Sequence, residues 1–181
     1  MRSRETTSRA AILTLDEFPE GTTRLALTAS ADELELSDNH LAFPERVQVS
    51  LSVSRCIDTF TVDGQIRSPL QGECCRCLAA VEQRLEIPMR VLFQRKQASE
   101  EELEAVADEE YEILSPGTRE IDLKDFIRAE IVLELPLRVY CSEDCKGLCP
   151  QCGSELNREL CTCEADRGDP RWAALGGLKF S

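Results

Sequence analysis

At 181 residues the chain has room for one ordinary hydrophobic core, or for one core plus a small module held by something other than packing. Its formal charge of −13, from 34 acidic and 21 basic side chains, disfavours diffuse attachment to nucleic acid, which depends on Lys and Arg replacing counterions, and suits a basic protein partner better. No segment approaches the length needed to cross a membrane, and residues 1–20 contain no apolar run of secretory type, so the ten cysteines are expected as reduced thiols in a cytoplasmic compartment rather than as disulfides.

The first half of the chain reads as β structure. Ile12 to Leu15 and Leu25 to Thr28 are expected strands joined through Pro19-Glu20-Gly21, with Leu34 and Leu36 in a third. Val47, Val49, Leu51 and Val53 alternate with polar residues, the period of a strand with one buried face, and Phe60 and Val62 continue after Cys56. Asp63-Gly64 carries the composition of a hairpin turn, and Ile87, Met89, Val91 and Phe93 alternate beyond it. Links this short predict antiparallel pairing. Eight acidic residues then fall between Glu100 and Glu112, a run expected as a solvated loop or frayed helix, and removing them leaves 26 acidic against 21 basic groups, so a local basic face is compatible with the total. After Ser115-Pro116-Gly117, Asp122 can cap a helix whose Leu123, Phe126, Ile127, Ile131 and Leu135 recur at three- and four-residue steps until Pro136 stops it. That apolar stripe is what a one-sided sheet needs to cover it.

The expected fold is therefore α+β: a mainly antiparallel sheet or open barrel with one packed helix, plus a small cysteine-rich, zinc-ribbon-like module at the C-terminus. The divisions are a β-rich domain over 1–98, the acidic loop over 99–118, the helix over 119–138, and the zinc-binding module with a short helix begun by Asp169-Pro170 over 139–181.

The cysteines are clustered in a way that suits metal. Cys149-Pro150-Gln151-Cys152-Gly153 lets two thiolates face one ion, with a glycine for the tight turn, and Cys161-Thr162-Cys163 lies one hairpin's length further on. Cys149, Cys152, Cys161 and Cys163 thus make a self-contained Zn2+ site. Cys74 and Cys77 form a C-x-x-C pair without a local partner, as do Cys141 and Cys145 at their own spacing, and by elimination these four make a second site. A rival grouping joins Cys141, Cys145, Cys149 and Cys152, leaving Cys74 and Cys77 as redox thiols or as partners of Cys161 and Cys163. Cys56 and Cys75 read as small buried hydrophobes. Four cysteines close a tetrahedron, so the zinc is structural rather than catalytic. His40, the sole histidine, sits in a polar turn expected at the surface, and no nucleophile elbow or phosphate-binding glycine loop is present, so no catalytic residue is assigned and no enzyme or small-molecule substrate is expected.

Cys74-Cys75-Arg76-Cys77-Leu78, the segment CSEDCKGLCPQCGSELN from Cys141 to Asn157, Cys161-Thr162-Cys163, and Asp169-Pro170-Arg171 with Leu175 together resemble the YceD family, the large ribosomal RNA subunit accumulation proteins. The resemblance covers the C-terminal two-thirds, while the first third matches in β character alone. It implies a bacterial or organellar ribosome biogenesis factor needed for 23S rRNA accumulation, without catalytic activity. Some family members lack the C-terminal cysteines, which implies that zinc there is a stabiliser or docking surface. The implied partner is a large-subunit precursor, met through a basic ribosomal protein or through 23S rRNA. Arg84, Arg90, Arg95 and Lys96, and Lys146, Arg158, Arg171 and Lys179, are the cations that could reach phosphates. Two other readings compete: a thiol-disulfide oxidoreductase using Cys74 and Cys77, whose flanking strands lack the helix N-terminus that usually lowers a reactive thiol's pKa, and a zinc-ribbon transcription adaptor.

Overall fold

A long β-hairpin forms the spine of the structure, a computed structural model that describes residues 11–37, 40–97 and 111–163. In chain order the elements are β1 (Ile12–Thr14), a 3-10 turn (Leu15–Glu17), β2 (Gly21–Ala29), β3 (Leu41–Ala42), β4 (Val47–Cys56), β5 (Thr59–Glu73), β6 (Ala80–Arg95), β7 (Tyr111–Leu114), β8 (Glu120–Asp122) and α1 (Lys124–Glu134). The main sheet runs β2-β4-β5-β6-β7, with β3 added beside β5, and it stays open rather than closing into a barrel.

β5 and β6 pair from Thr59↔Gln94 to Glu73↔Ala80 without interruption. Val62, Ile66 and Leu70 on β5, and Ile87, Met89 and Phe93 on β6, point into the core. On the exposed face, Asp63 meets Arg90 at 3.5 Å, Arg67 meets Glu86 at 3.5 Å, and Gln71 Nε2 donates to Glu82 at 2.9 Å, each across its register partner. A slip of one residue would expose the apolar set and break all three polar pairs, so both faces specify the same register.

Asp63-Gly64 is not the hairpin turn. β5 runs straight through it, and the turns lie at Ile57-Asp58, where Ile57 takes φ +54, and at Cys74 to Ala79. Gly64 is there for space: a Cβ would sit 2.7 Å from Met89 Cγ and 2.8 Å from Leu51 Cδ2. The expected pairings also differ in two places. β1 pairs with β8 rather than β2, and β7 joins β6 in parallel because the chain between them is long enough for a crossover return. Leu34 and Leu36 are buried as expected, but within a turn in which Glu35 takes φ +52, not in a strand.

The helix lies where the sequence stripe puts it. Ile127 and Ile131 are buried against the sheet, and Phe126 meets Phe93 edge to face at 5.4 Å and 87°. Asp122 Oδ1 accepts from the Lys124 N–H at 2.8 Å, capping the first turn from one residue before the cap position, and Leu135 is already extended ahead of Pro136. Lys124 pairs with Glu35 and Arg128 donates to the Glu35 carbonyl, tying the 31–36 turn to the helix. The acidic run was expected to be loop or frayed helix; its last residues, from Tyr111, form β7, while 98–110 lie outside the described residues. The expected Asp169-Pro170 helix also lies outside them.

Gly64→Val, which forces Met89 and Leu51 apart, is expected to cost about 1–3 kcal/mol, read as a fall in Tm of roughly 2–12 °C in a thermal melt. Gly117→Ala, where a Cβ meets nothing within 4 Å, should leave Tm unchanged.

Candidate metal centres

The β5–β6 turn is a cysteine knuckle. The Cys74 N–H donates to the Ala79 carbonyl at 2.8 Å and the Leu78 N–H to the Cys74 carbonyl at 2.9 Å, with Leu78 at φ +60, so the hairpin ladder closes on a loop that turns Cys74 and Cys77 to one side. Beyond the helix, residues 139–148 fold back onto this tip. The Cys75 N–H donates to the Val139 carbonyl at 2.8 Å, the Leu148 N–H to the Arg76 carbonyl at 3.1 Å, and Arg76 Nη1 to the carbonyls of Cys145 and Glu143 at 2.9 and 3.0 Å. The Arg76 guanidinium lies 4.7 Å over the Tyr140 ring. These contacts bring Cys141 and Cys145 against the knuckle.

The result is a tetrad of thiols, Cys74, Cys77, Cys141 and Cys145, whose sulfurs all lie within 4.8 Å of one another. Cys74 and Cys145 are 3.8 Å apart, and Cys77 and Cys141 3.5 Å. Cys74, Cys77 and Cys145 are buried and Cys141 is exposed. A second tetrad, Cys149, Cys152, Cys161 and Cys163, has the same spread. Here Gly153 at φ +74 lets its N–H reach the Cys149 carbonyl at 2.9 Å, and the Cys149 N–H donates to the Ser154 carbonyl at 2.8 Å. Cys161 lies 3.3 Å from Cys149 and 3.5 Å from Cys152. This group is more open to solvent, with Cys152 and Cys163 exposed.

Both groups suit a tetrahedral thiolate ion. Bonds of about 2.3 Å to one metal put neighbouring sulfurs about 3.8 Å apart. The observed separations are far beyond the roughly 2.05 Å of a disulfide. The electrostatics fit as well. At Cys74 burial opposes the thiolate, but backbone amides around it bring its pKa down to about 6. The amide of Ala79 favours the Cys77 thiolate, yet burial and the thiols of Cys141, Cys145 and Cys74 carry it up to about 12. In the other tetrad the Ser154 hydroxyl and N–H bring Cys152 to about 6, while Cys161 and Cys152 drive Cys163 up to about 12. In each group two thiols are shifted down, Cys74 with Cys145 and Cys149 with Cys152, and their two neighbours are shifted up, because adjacent thiolates repel one another unless a cation lies among them.

The structure brings together the two groups of four reached by spacing and elimination, and not the rival set of Cys141, Cys145, Cys149 and Cys152. Cys56 and Cys75 differ from expectation: both are exposed. Cys56 ends β4 beside a turn, and Cys75 lines a cleft of about 1170 Å3 whose walls also carry the exposed Leu78, Leu137 and Arg138. His40 is exposed at the same cleft. Of the cations singled out, Arg90 and Arg158 are engaged with Asp63 and Glu155, Arg95 lies 5.4 Å over Phe60 with Nε and Nη2 buried and unpartnered, and Arg171 and Lys179 lie outside the described residues. Sequence reasoning passed over Ser154 and Asn157. Their signal was position alone: hydrogen-bonding side chains inside the span between ligand pairs.

In the native protein without added metal, iodoacetamide should label Cys152 first, since it is exposed and its pKa is brought to about 6, and should also reach the exposed Cys56 and Cys75, leaving Cys74, which is 0% exposed, unlabelled until the chain is denatured; peptide mass spectrometry reads the order.

The family model for the large ribosomal RNA subunit accumulation protein YceD matches residues 62–179. An uncharacterised protein of Mycobacterium tuberculosis is 35% identical over 129 residues, covering 71% of this chain and 60% of that protein, so the chain spans about three-fifths of that relative. The chloroplastic YCED homolog 1 of Arabidopsis thaliana, named a large ribosomal RNA subunit accumulation protein, is 27% identical over 175 residues, 83% of this chain and 54% of the homolog. YlbN of Bacillus subtilis is 28% identical over 172 residues, 92% of this chain and 94% of YlbN. No solved structure matches significantly. Among the described residues no helix is long and apolar enough to cross a membrane. The match from Val62 to Lys179 takes in the hairpin spine, the helix and all eight clustered thiols, and the chain belongs to the YceD family.

Proposed function

We propose that each tetrad holds one structural zinc ion and that the protein is a non-enzymatic factor in large ribosomal subunit assembly, supporting accumulation of 23S rRNA from the cytoplasm. The observation that carries this reading is the pairing of family membership with two closed sets of four thiols. Four cysteines leave no coordination position for a substrate, so zinc held by them would neutralise thiolate charge and fix geometry rather than activate water. Binding of this kind contributes on the order of 10 kcal/mol at neutral pH. The segment from Val139 to Cys163 needs such a contribution, since it forms no helix or strand beyond an isolated bridge between Leu148 and Glu155 and exposes Leu160 almost completely. A zinc-ribbon adaptor would place the function in this segment alone. The family match instead includes the hairpin and the helix.

The oxidoreductase reading is disfavoured by access. Cys74, the thiol held near pKa 6, is fully buried among three other sulfurs, where a disulfide substrate cannot approach it in line. For the partner, the −13 charge favours a basic ribosomal protein. Arg84 and Lys146 remain as exposed groups for rRNA phosphates.

Purified under reducing conditions, the full chain should carry two equivalents of zinc by elemental analysis, falling to one in Cys74→Ser and to one in Cys152→Ser. About one equivalent in the parent, unchanged by Cys74→Ser, would sink the two-site reading. In cell extracts the protein should co-sediment with large-subunit precursors at low salt and dissociate at high salt. Absence from those particles at every salt concentration would count against the assembly role.

A further inference from the structure

Asn157 stands between the two tetrads. It lies in the segment between Cys152 and Cys161, which the second tetrad closes, yet its side chain reaches the first. Its Nδ2 donates to Cys145 Sγ at 3.3 Å, and its Oδ1 accepts from the Lys146 backbone N–H at 2.8 Å. The second bond fixes the orientation of the amide, because a backbone N–H can only donate and so leaves the amide's own NH2 for the sulfur.

The segment carrying Asn157 has little else to hold it. The Leu156 N–H donates to the Gly147 carbonyl at 3.0 Å and Glu155 bridges Leu148, but Asn157, Arg158, Glu159 and Leu160 are exposed. Its far end is gathered only at Cys161 and Cys163. Gly147, at φ +77, has its missing Cβ 3.0 Å from the Arg76 carbonyl, so the strip that receives Asn157 lies directly on the hairpin knuckle. A continuous hydrogen-bonded path thus runs from Arg76 through residues 145–148 to the 155–157 arm.

We infer that Asn157 is a positioning residue that couples the two tetrads, so that they take up metal cooperatively. This rests on reading both tetrads as zinc sites. Closing Cys149, Cys152, Cys161 and Cys163 on an ion orders the arm and delivers an N–H donor to Cys145. That donor favours the charged sulfur and fixes its direction, as partners of metal ligands do. By reciprocity, filling the first tetrad anchors the strip on which Asn157 docks and strengthens the second.

The test is a cobalt(II) titration of the full chain against a competing chelator, followed through thiolate-to-metal absorption. Cys161→Ser leaves the first tetrad to be read alone, and Cys74→Ser the second. The parent should load both ions in one cooperative transition. Asn157→Ala should load in two separate steps, with the step missing from Cys74→Ser weakened about 10–100-fold. Asn157→Asp, which keeps the acceptor for Lys146 but loses the donor, should be at least as weak, and the charge-transfer band of the first tetrad should move to longer wavelength in both variants. Cys161→Ser should itself weaken the first tetrad, and adding Asn157→Ala to it should cause no more than about a twofold further loss, since an unclosed arm no longer delivers the donor. Independent loading in the parent, an Asn157→Ala affinity within twofold of the parent's, or losses that multiply in the double variant would overturn the coupling while leaving two metal sites in place. A parent chain that takes up neither cobalt nor zinc would overturn the zinc reading and the coupling with it.

Discussion

The unbroken pairing of β5 with β6 is the constraint on which the remaining structure depends. Its fifteen registered positions run from the core, where Phe60 meets Phe93, to the tip, where Glu73 meets Ala80. Because side chains alternate along a strand, the register that buries Val62, Ile66 and Ile87 also decides which way Cys74 leaves the ladder. A hairpin slipped by one residue would present the knuckle to the wrong face, and residues 139–148 would have no thiols to meet. The hydrophobic core and the cysteine cluster are therefore one problem with one solution, even though they share few contacts.

That division of labour separates the two tetrads. The first joins a hairpin tip to a segment that arrives after the helix, through Cys74 with Cys145 and Cys77 with Cys141, and it is mostly buried. The second joins residues close in sequence and is the more open of the two, with Cys152 and Cys163 exposed. One relates the C-terminal segment to the sheet, while the other gives that segment an internal shape. The cleft beside the first, with Leu78 and Leu137 exposed on its walls, exists because the chain must cross the tip to supply Cys141.

Legibility in the sequence followed the range of the interaction. The alternation in Val47 to Val53 and in Ile87 to Phe93, and the helical stripe from Leu123 to Leu135, are local periodicities that burial enforces, and they appear as strands and helix. The thiol groupings were reachable because a ligand pair without a partner has to find one. What escaped depended on distant neighbours. Asp63-Gly64 has turn composition, but the glycine answers to Met89 and Leu51 on the two adjoining strands. Nothing near Ile12 announces that it pairs with Asp122, and nothing near Tyr111 announces a parallel return beside Leu92. Asn157 was equally silent, since its partner sulfur belongs to the other tetrad.

The separation of the first tetrad's halves also has a meaning in time. Cys77 and Cys141 stand 64 positions apart, so at synthesis rates of about 5–20 residues per second the hairpin tip is made on the order of 3–13 s before its partners exist. During that interval the ladder of β5 and β6 can form and hold Cys74 and Cys77 in place, but the knuckle has nothing to close on. Closure waits until the helix has been made and the chain has crossed the tip. Cys161 and Cys163 are made later than Cys141 and Cys145, so the order of translation lets the join between sheet and C-terminal segment form before the second tetrad is complete.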